Sequence, residues 1–348
     1  MKLSAFKFTL PPKLVTTHPR ENREEARLMV VHKDTGKIEH KVFKDILSYF
    51  KEDDTLIINN TKVFPAKLYG SKEKTGAQID VFLLRELDEK DHLWDTLVEP
   101  ARKIRVGNKL YFGNGELVAE VLDNTTSRGR TLKFLFEGSR EELYSTIEQL
   151  GIIPLPSQLK RKEEPIDRTR YQTVYAQEVG AVVAPAAGLH FTAQLLKRLE
   201  LQGTHIVPIT LHLSLSTLKT IDVEDLTKYK IGSEPFFIPA ESALVVNQSL
   251  DSKQQVCAIG ISTLKAIESS VSVAGRLKPT QGWTNKLIFP PYNCRVCTSL
   301  ITNFHLPESL PLINAAAFCG YDLLMEAYQV AIKEKYKFFM YGDAMLII

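Results

Sequence analysis

Three histidines stand where a proton could be moved or a ligand held. His190 follows Gly188-Leu189, His212 lies in the run His205-Ile-Val-Pro-Ile-Thr-Leu-His-Leu213, and His305 falls between Asn303-Phe304 and Leu306-Pro307. An imidazole titrates near neutral pH and serves as acid, base or hydrogen-bonding group. A glycine such as Gly188 lets backbone approach a ligand closely. The plain alternative for His190 is a loop-end histidine that satisfies backbone groups. Strand parity turns His212 to the side of Thr210 and Ser214, where a structural hydrogen bond is as good an account as a ligand. Pro307 holds Leu306 extended, so Asn303, Phe304 and His305 form a loop able to meet a ligand by hydrogen bond, by stacking, or by either.

Further polar groups fall where strands should end. Thr55-Leu-Ile-Ile58 runs into Asn59-Asn60, and the strand expected over 338–347 is broken by Gly342-Asp343. Strand ends are where α/β proteins build ligand sites. Ser262 and Thr263 follow an expected strand, 255–259, and precede a helix expected over 264–271. Backbone N–H groups at a helix start attract an anion, although a plain N-cap is the commoner use. Glu268 lies about one turn further on, with an exposed surface carboxylate as its plain reading. Arg170, Tyr171, Gln172 and Thr173 follow the basic stretch Lys160-Arg-Lys162. Arginine contacts phosphates and tyrosine stacks on splayed bases; a solvated loop is the alternative. Cys294-x-x-Cys297 has no second cysteine pair, so no metal site is expected. Neither a P-loop nor a Gly-x-Gly-x-x-Gly after a strand occurs.

These groups need a scaffold. The chain has 348 residues, 44% hydrophobic and 24% charged, enough for two domains and a large core. Segment 65–151 consists of short runs such as Gln78-Ile-Asp-Val-Phe-Leu-Leu84, separated by turn signals such as Gly113-Asn-Gly115. It predicts a small β-barrel domain inserted into an α/β domain made of 1–64 plus 152–348. In the latter, strands and helices alternate, predicting a mainly parallel sheet covered by helices. A formal charge of +3 is compatible with a nucleic-acid partner without requiring one. No apolar run suits a membrane span, no signal-peptide pattern opens the chain, and four cysteines suggest no disulfide framework. The expected compartment is the reducing cytoplasm.

Taken in order, the segments 170–176, 184–191, 210–212, 300–307 and 341–347 resemble the motifs of the S-adenosylmethionine:tRNA ribosyltransferase-isomerase family of queuosine biosynthesis. The resemblance spans nearly the whole chain. It implies an α/β domain interrupted by a barrel, with S-adenosylmethionine as co-substrate, no metal, and the tRNA anticodon loop as partner of a monomer. It implies transfer of the ribosyl group to a 7-aminomethyl-7-deazaguanine in tRNA and its isomerisation to give epoxyqueuosine. His190, His212, His305, Glu234 and Asp343 become the candidates for proton handling. Substrate contacts fall to Arg170, Tyr171, Gln172, Thr173, Asn59, Asn60, Gly188, Ser262, Thr263, Lys265, Glu268, Asn303 and Phe304. The chain departs from the family pattern at Ala186, Ser214, Ser216, Gly232, Ile261, Lys265 and Pro291. Lysine for arginine at 265 gives up a planar fork for a point charge. Changes of this kind point to a divergent member with a retuned pocket, or to a paralogue that binds tRNA or a nucleoside without performing the transfer.

Overall fold

The computed structural model describes residues 1–348, the side chain of Ser216 excepted. The chain folds as two units, one of Met1–Lys62, Pro156–Arg161 and Thr169–Ile348, the other of Val63–Leu155 and Lys162–Arg168.

The larger unit is built on a nine-stranded sheet. Its strands are β1 (Arg27–Val31), β2 (Ile38–Val42), β3 (Thr55–Asn59), β4 (His205–Leu211), β5 (Glu234–Ile238), β6 (Val256–Ile259), β7 (Thr280–Thr284), β8 (Ser299–Asn303) and β9 (Ala344–Ile347). They lie in the order β7-β5-β4-β3-β6-β8-β9-β1-β2. Every residue of β3, β6, β8 and β9 is buried. Such strands are covered on both faces, which is why β6 and β9 read as unbroken apolar runs. Pairing is parallel through β4-β3-β6-β8 and again between β9 and β1. It is antiparallel at β7-β5, β5-β4, β8-β9 and β1-β2. The sheet is therefore mixed, with the expected parallel order in its inner strands. Burial patterns predict which strands are covered, not which way a neighbour runs.

Helices α1 (Ala193–Leu201), α2 (Ala240–Asp251), α3 (Ile261–Ser269), α4 (Leu310–Cys319) and α5 (Tyr321–Lys333) belong to this unit. Thr192 caps α1, its Oγ1 accepting from the Leu195 N–H at 3.0 Å. Helix α3 starts earlier than the expected 264, because Gly260 takes φ +91° and turns the chain into the helix at once. The strand expected over 338–347 shortens to β9, since Phe339 adopts φ +79°.

The smaller unit is a closed barrel of antiparallel strands: Lys67–Lys72, Gln78–Asp88, Leu93–Glu99, Lys109–Phe112, Leu117–Asp123 and Gly129–Phe134. Alternation drives it. Val81, Leu83, Leu110, Ala119, Val121 and Leu132 point inward and are fully buried. The helix Arg140–Leu150 opens with a capping box between Ser139 and Glu142. Lys162–Arg168 joins this unit although it lies outside 65–151: Arg168 donates to the carbonyls of Glu148 and Gly151 at 2.8 and 2.6 Å.

Candidate active site

The carboxyl ends of the parallel strands β4, β3, β6 and β8 open on one edge of the sheet. Antiparallel β5 brings its first residue, Glu234, to the same edge. A cleft of about 1060 Å³, open solvent included, lies there; Glu234, Ser262, Lys265, Asn303 and His305 are in its wall. This is where an α/β sheet offers a ligand site.

The cleft wall carries a buried ion pair. Glu234 is 1% exposed and Lys265 is 7% exposed. Lys265 Nζ lies 2.9 Å from Glu234 Oε2. Oε1 accepts from the Ser214 N–H at 2.7 Å, the Ser214 hydroxyl at 2.9 Å and the Thr217 hydroxyl at 3.1 Å. Buried charges persist when paired and hydrogen-bonded in this way. Two of the sequence departures thus acquire a structural setting. Lys265 needs no fork to meet a single carboxylate oxygen, and Ser214 supplies Glu234 with a hydroxyl donor. Ala186 and Ile261 lie in the cleft wall, Gly232 is exposed, and Pro291 follows a cis peptide bond. The side chain of Ser216 lies outside the described residues.

At the other end of the cleft, Asn303 organises the wall. Its Nδ2 donates to the carbonyls of Phe339 and Met340 at 3.0 and 3.1 Å. This fixes the amide orientation, so Oδ1 accepts from His190 Nε2 at 3.0 Å and defines the His190 tautomer. Burial drives the His190 pKa down to about 4, against the opposing effects of Asn303 and Asp343. His305 contacts Thr302 Oγ1 at 2.7 Å through Nε2, and its backbone N–H donates to the Tyr328 hydroxyl. Burial lowers its pKa to about 3. Both rings are neutral at pH 7 and act there as hydrogen-bonding groups or proton acceptors.

Other expected residues support the cleft from behind. Asn59 Nδ2 donates to the Leu211 carbonyl and to Ser262 Oγ, and its Oδ1 accepts from the Leu211 and Thr61 N–H groups. Asn60 Oδ1 accepts from the Thr210 hydroxyl at 2.7 Å. His212 contacts Thr61 Oγ1 through Nδ1 at 2.7 Å. Thr263 Oγ1 bonds back to the Ile259 carbonyl, so neither Ser262 nor Thr263 is the N-cap; Gly260 is. Glu268 is buried, accepting from the Tyr292 hydroxyl and the Arg295 N–H, and is not an exposed surface carboxylate.

Several expectations change. Phe304 is fully buried against Tyr328, Tyr336 and Phe338, with ring centroids 5.1–5.5 Å away, so it is core and offers no stacking face. Gly188 is needed for a close approach to Tyr175, whose hydroxyl would lie 2.1 Å from an added Cβ, and not for approach to the cleft. Asp343 is fully buried and committed to Arg20 Nη2 and to the N–H groups of Arg27 and Lys337. It is a brace for the turn before β9. Tyr171 is buried edge-on to Tyr341, the Gln172 carbonyl accepts from Arg23, and Thr173 is 4% exposed. Of that cluster, Arg170 lines a second pocket beside His190, with Arg20 and Arg23. Nothing in the sequence singles out Arg20 and Arg23, which lie in a run of mixed charge that looks like any solvated segment. Among the described residues no group of three or more His, Cys, Asp or Glu side chains could hold a metal ion. No helix among them is long and apolar enough to cross a membrane.

Fold and cleft together define a two-unit α/β protein with a cleft at the carboxyl edge of its sheet. Known proteins narrow this further. The sequence profile described as queuosine biosynthesis protein matches residues 3–347, and the chain belongs to that family. It is 75% identical to an S-adenosylmethionine:tRNA ribosyltransferase-isomerase of Amoebophilus asiaticus and 59% identical to one of Cytophaga hutchinsonii, each over 348 residues and the full length of both chains. The crystal structure of S-adenosylmethionine tRNA ribosyltransferase from Thermotoga maritima is similar at 31% identity and a TM-score of 0.55, over 99% of this chain and 100% of that one.

Proposed function

We propose that this chain is an S-adenosylmethionine:tRNA ribosyltransferase-isomerase whose co-substrate binds in the cleft of the larger unit. The observation that carries this reading is the Glu234–Lys265 pair, buried in the wall of a cleft at the carboxyl ends of parallel strands. A carboxylate and an ammonium group side by side complement the amino and carboxylate groups of the methionine moiety. The first turn of α3 adds backbone N–H groups that favour the same carboxylate. Val183, Leu213, Leu310 and Met340 give the apolar wall that a nucleoside needs.

The sulfonium of S-adenosylmethionine acidifies the neighbouring C5′ protons, so a positioned base starts the rearrangement. His305 is the proton acceptor in the cleft wall, while Lys265, Ser214 and Thr217 hold Glu234 for the methionine moiety. The apolar wall limits water, which protects the intermediate formed as adenine and methionine leave. The acceptor is the 7-aminomethyl-7-deazaguanine of tRNA, read as an unstacked base of the anticodon loop. We assign the protein to the cytoplasm, as a monomer.

Calorimetric titration with S-adenosylmethionine tests the site. The wild type should bind, and Lys265→Met and Glu234→Gln should each lose at least about tenfold in affinity, the loss of one charge-assisted hydrogen bond. Unchanged affinity in both variants would remove the ion pair from the co-substrate site.

A further inference from the structure

Arg20, Arg23 and Arg170 converge on the second pocket of the larger unit, beside His190, Tyr341 and Gly342. Two of the three are tied down by backbone. Arg23 donates to the carbonyls of Gln172, Leu189 and Thr169 at 3.0, 3.1 and 3.2 Å. Arg170 donates to the carbonyls of Glu21 and Arg20. Arg20 remains 37% exposed while pairing with Asp343 at 2.7 Å. That carboxylate also accepts from two backbone N–H groups, so its charge is shared. The Nε donors of Arg20 and Arg170 are buried with no hydrogen-bond partner among the described residues. Burial and the Arg170 charge both lower the pKa of Arg23, as like charges held together require.

Three guanidiniums against one shared carboxylate leave a local excess of positive charge beside unsatisfied donors. An incoming oxyanion would offset that charge through the partly exposed Arg20. The planar fork of arginine matches the paired oxygens of a phosphodiester. The pocket is one side chain away from the main cleft: Met340 lines both, and His190, in its wall, is bonded to Asn303, in the cleft wall.

We propose that the Arg20–Arg23–Arg170 pocket receives a backbone phosphate of the RNA substrate, adjacent to the nucleotide presented to the cleft. The proposal rests on the tRNA reading above and adds to it the element that fixes the register of the RNA. Arg20 is the adjustable member, because it is partly exposed, whereas Arg23 and Arg170 hold the frame.

The test uses the full-length protein and a synthetic anticodon stem-loop in which single phosphates are replaced, one at a time, by neutral methylphosphonates. Binding is measured across a salt series for the wild type and for Arg20→Gln. One linkage beside the modified position should weaken wild-type binding about tenfold and lower the salt slope by about 0.7, the value for one phosphate contact on a single strand. In Arg20→Gln the same replacement should have little further effect, since the contact is already lost. Its affinity for S-adenosylmethionine should stay at the wild-type value. If that variant remains as sensitive to the same linkage as the wild type, the pocket does not hold that phosphate. If its affinity for S-adenosylmethionine falls instead, the pocket serves the co-substrate carboxylate and the RNA assignment is overturned. Thermal melting of Arg20→Gln is expected to fall, because buried Asp343 loses its ion-pair partner, so retained affinity for S-adenosylmethionine is the readout that separates lost contact from lost folding. Wild-type adenine release from S-adenosylmethionine with tRNA is run alongside. Its absence would count against the activity itself, whereas its presence with no sensitive linkage would reject the pocket alone.

Discussion

Each unit of this protein buries a cation, and the two burials differ in kind. In the barrel, Arg130 is 6% exposed and spends its donors on the carbonyls of Ile104, Gly129 and Ala101 at 2.9, 2.7 and 2.7 Å. Backbone consumes it, and it staples strand to loop. In the α/β unit, Lys265 meets a carboxylate, and both members stand in a cleft wall. A buried cation satisfied by carbonyls is architecture; one held against a buried acid on an open wall is available to a ligand. The difference separates a polar group that completes the fold from one that the fold holds for use.

The sharpest way to break the comparison is to remove each cation. Lys265→Met leaves Glu234 charged and buried without its partner, and should cost about 3–5 kcal/mol of stability along with co-substrate binding. Chemical denaturation and calorimetry read the two effects separately. Arg130→Met strands several carbonyls and should cost about 3 kcal/mol, while affinity for S-adenosylmethionine stays unchanged. If Arg130→Met weakened co-substrate binding as much as Lys265→Met, the distinction would fail.

His190 gives an effect that depends on pH. Its folded pKa, about 4, lies below the unfolded value near 6.5. The unfolded chain therefore binds more protons between these values. The stabilisation is full above about pH 6.5 and is lost as pH falls toward 4, on the order of 3 kcal/mol in all. Denaturation midpoints over that range should flatten in His190→Gln. A smaller but more local effect belongs to Asn303. Asn303→Ala frees the Phe339–Met340 turn, and kcat should drop about 100-fold, as for a misplacement near 1 Å, with KM for S-adenosylmethionine changing less. The least effect is expected at a cap: Thr192→Ala should lower stability by about 1 kcal/mol and leave turnover alone.

The barrel was the most legible part. Alternating residues such as Val81, Leu83 and Leu132 declare which face is inside, and glycine-bearing turns separate the strands. Inner strands such as β3 and β6 are plain as apolar runs, whereas β5 and β7 are not, and the mixed directions are hidden because pairing depends on crossovers and not on periodicity. At the site, Asn303 and His305 fall on a short motif near a strand end and can be picked out, whereas Glu234 and Lys265 come into view only through the family resemblance. Phe304 could not be placed, since an aromatic beside a loop looks the same whether it stacks on a ligand or fills a core. The arginine pocket was illegible for another reason. Arg20 and Arg23 lie about 150 residues from Arg170, and only the tertiary fold brings them together. The early start of α3 is hidden in Gly260, whose positive φ turns the chain into the helix without a side-chain cap.

The most direct test of the central claim is a product assay. Purified protein is mixed with S-adenosylmethionine and tRNA carrying 7-aminomethyl-7-deazaguanine, and adenine and the modified nucleoside are followed by mass spectrometry. Adenine release should keep step with epoxyqueuosine formation, and both should fall in Lys265→Met at sub-saturating S-adenosylmethionine. Binding of tRNA with no adenine released, while a related enzyme turns over in parallel, would contradict that claim and leave a protein that kept the cleft and lost the reaction.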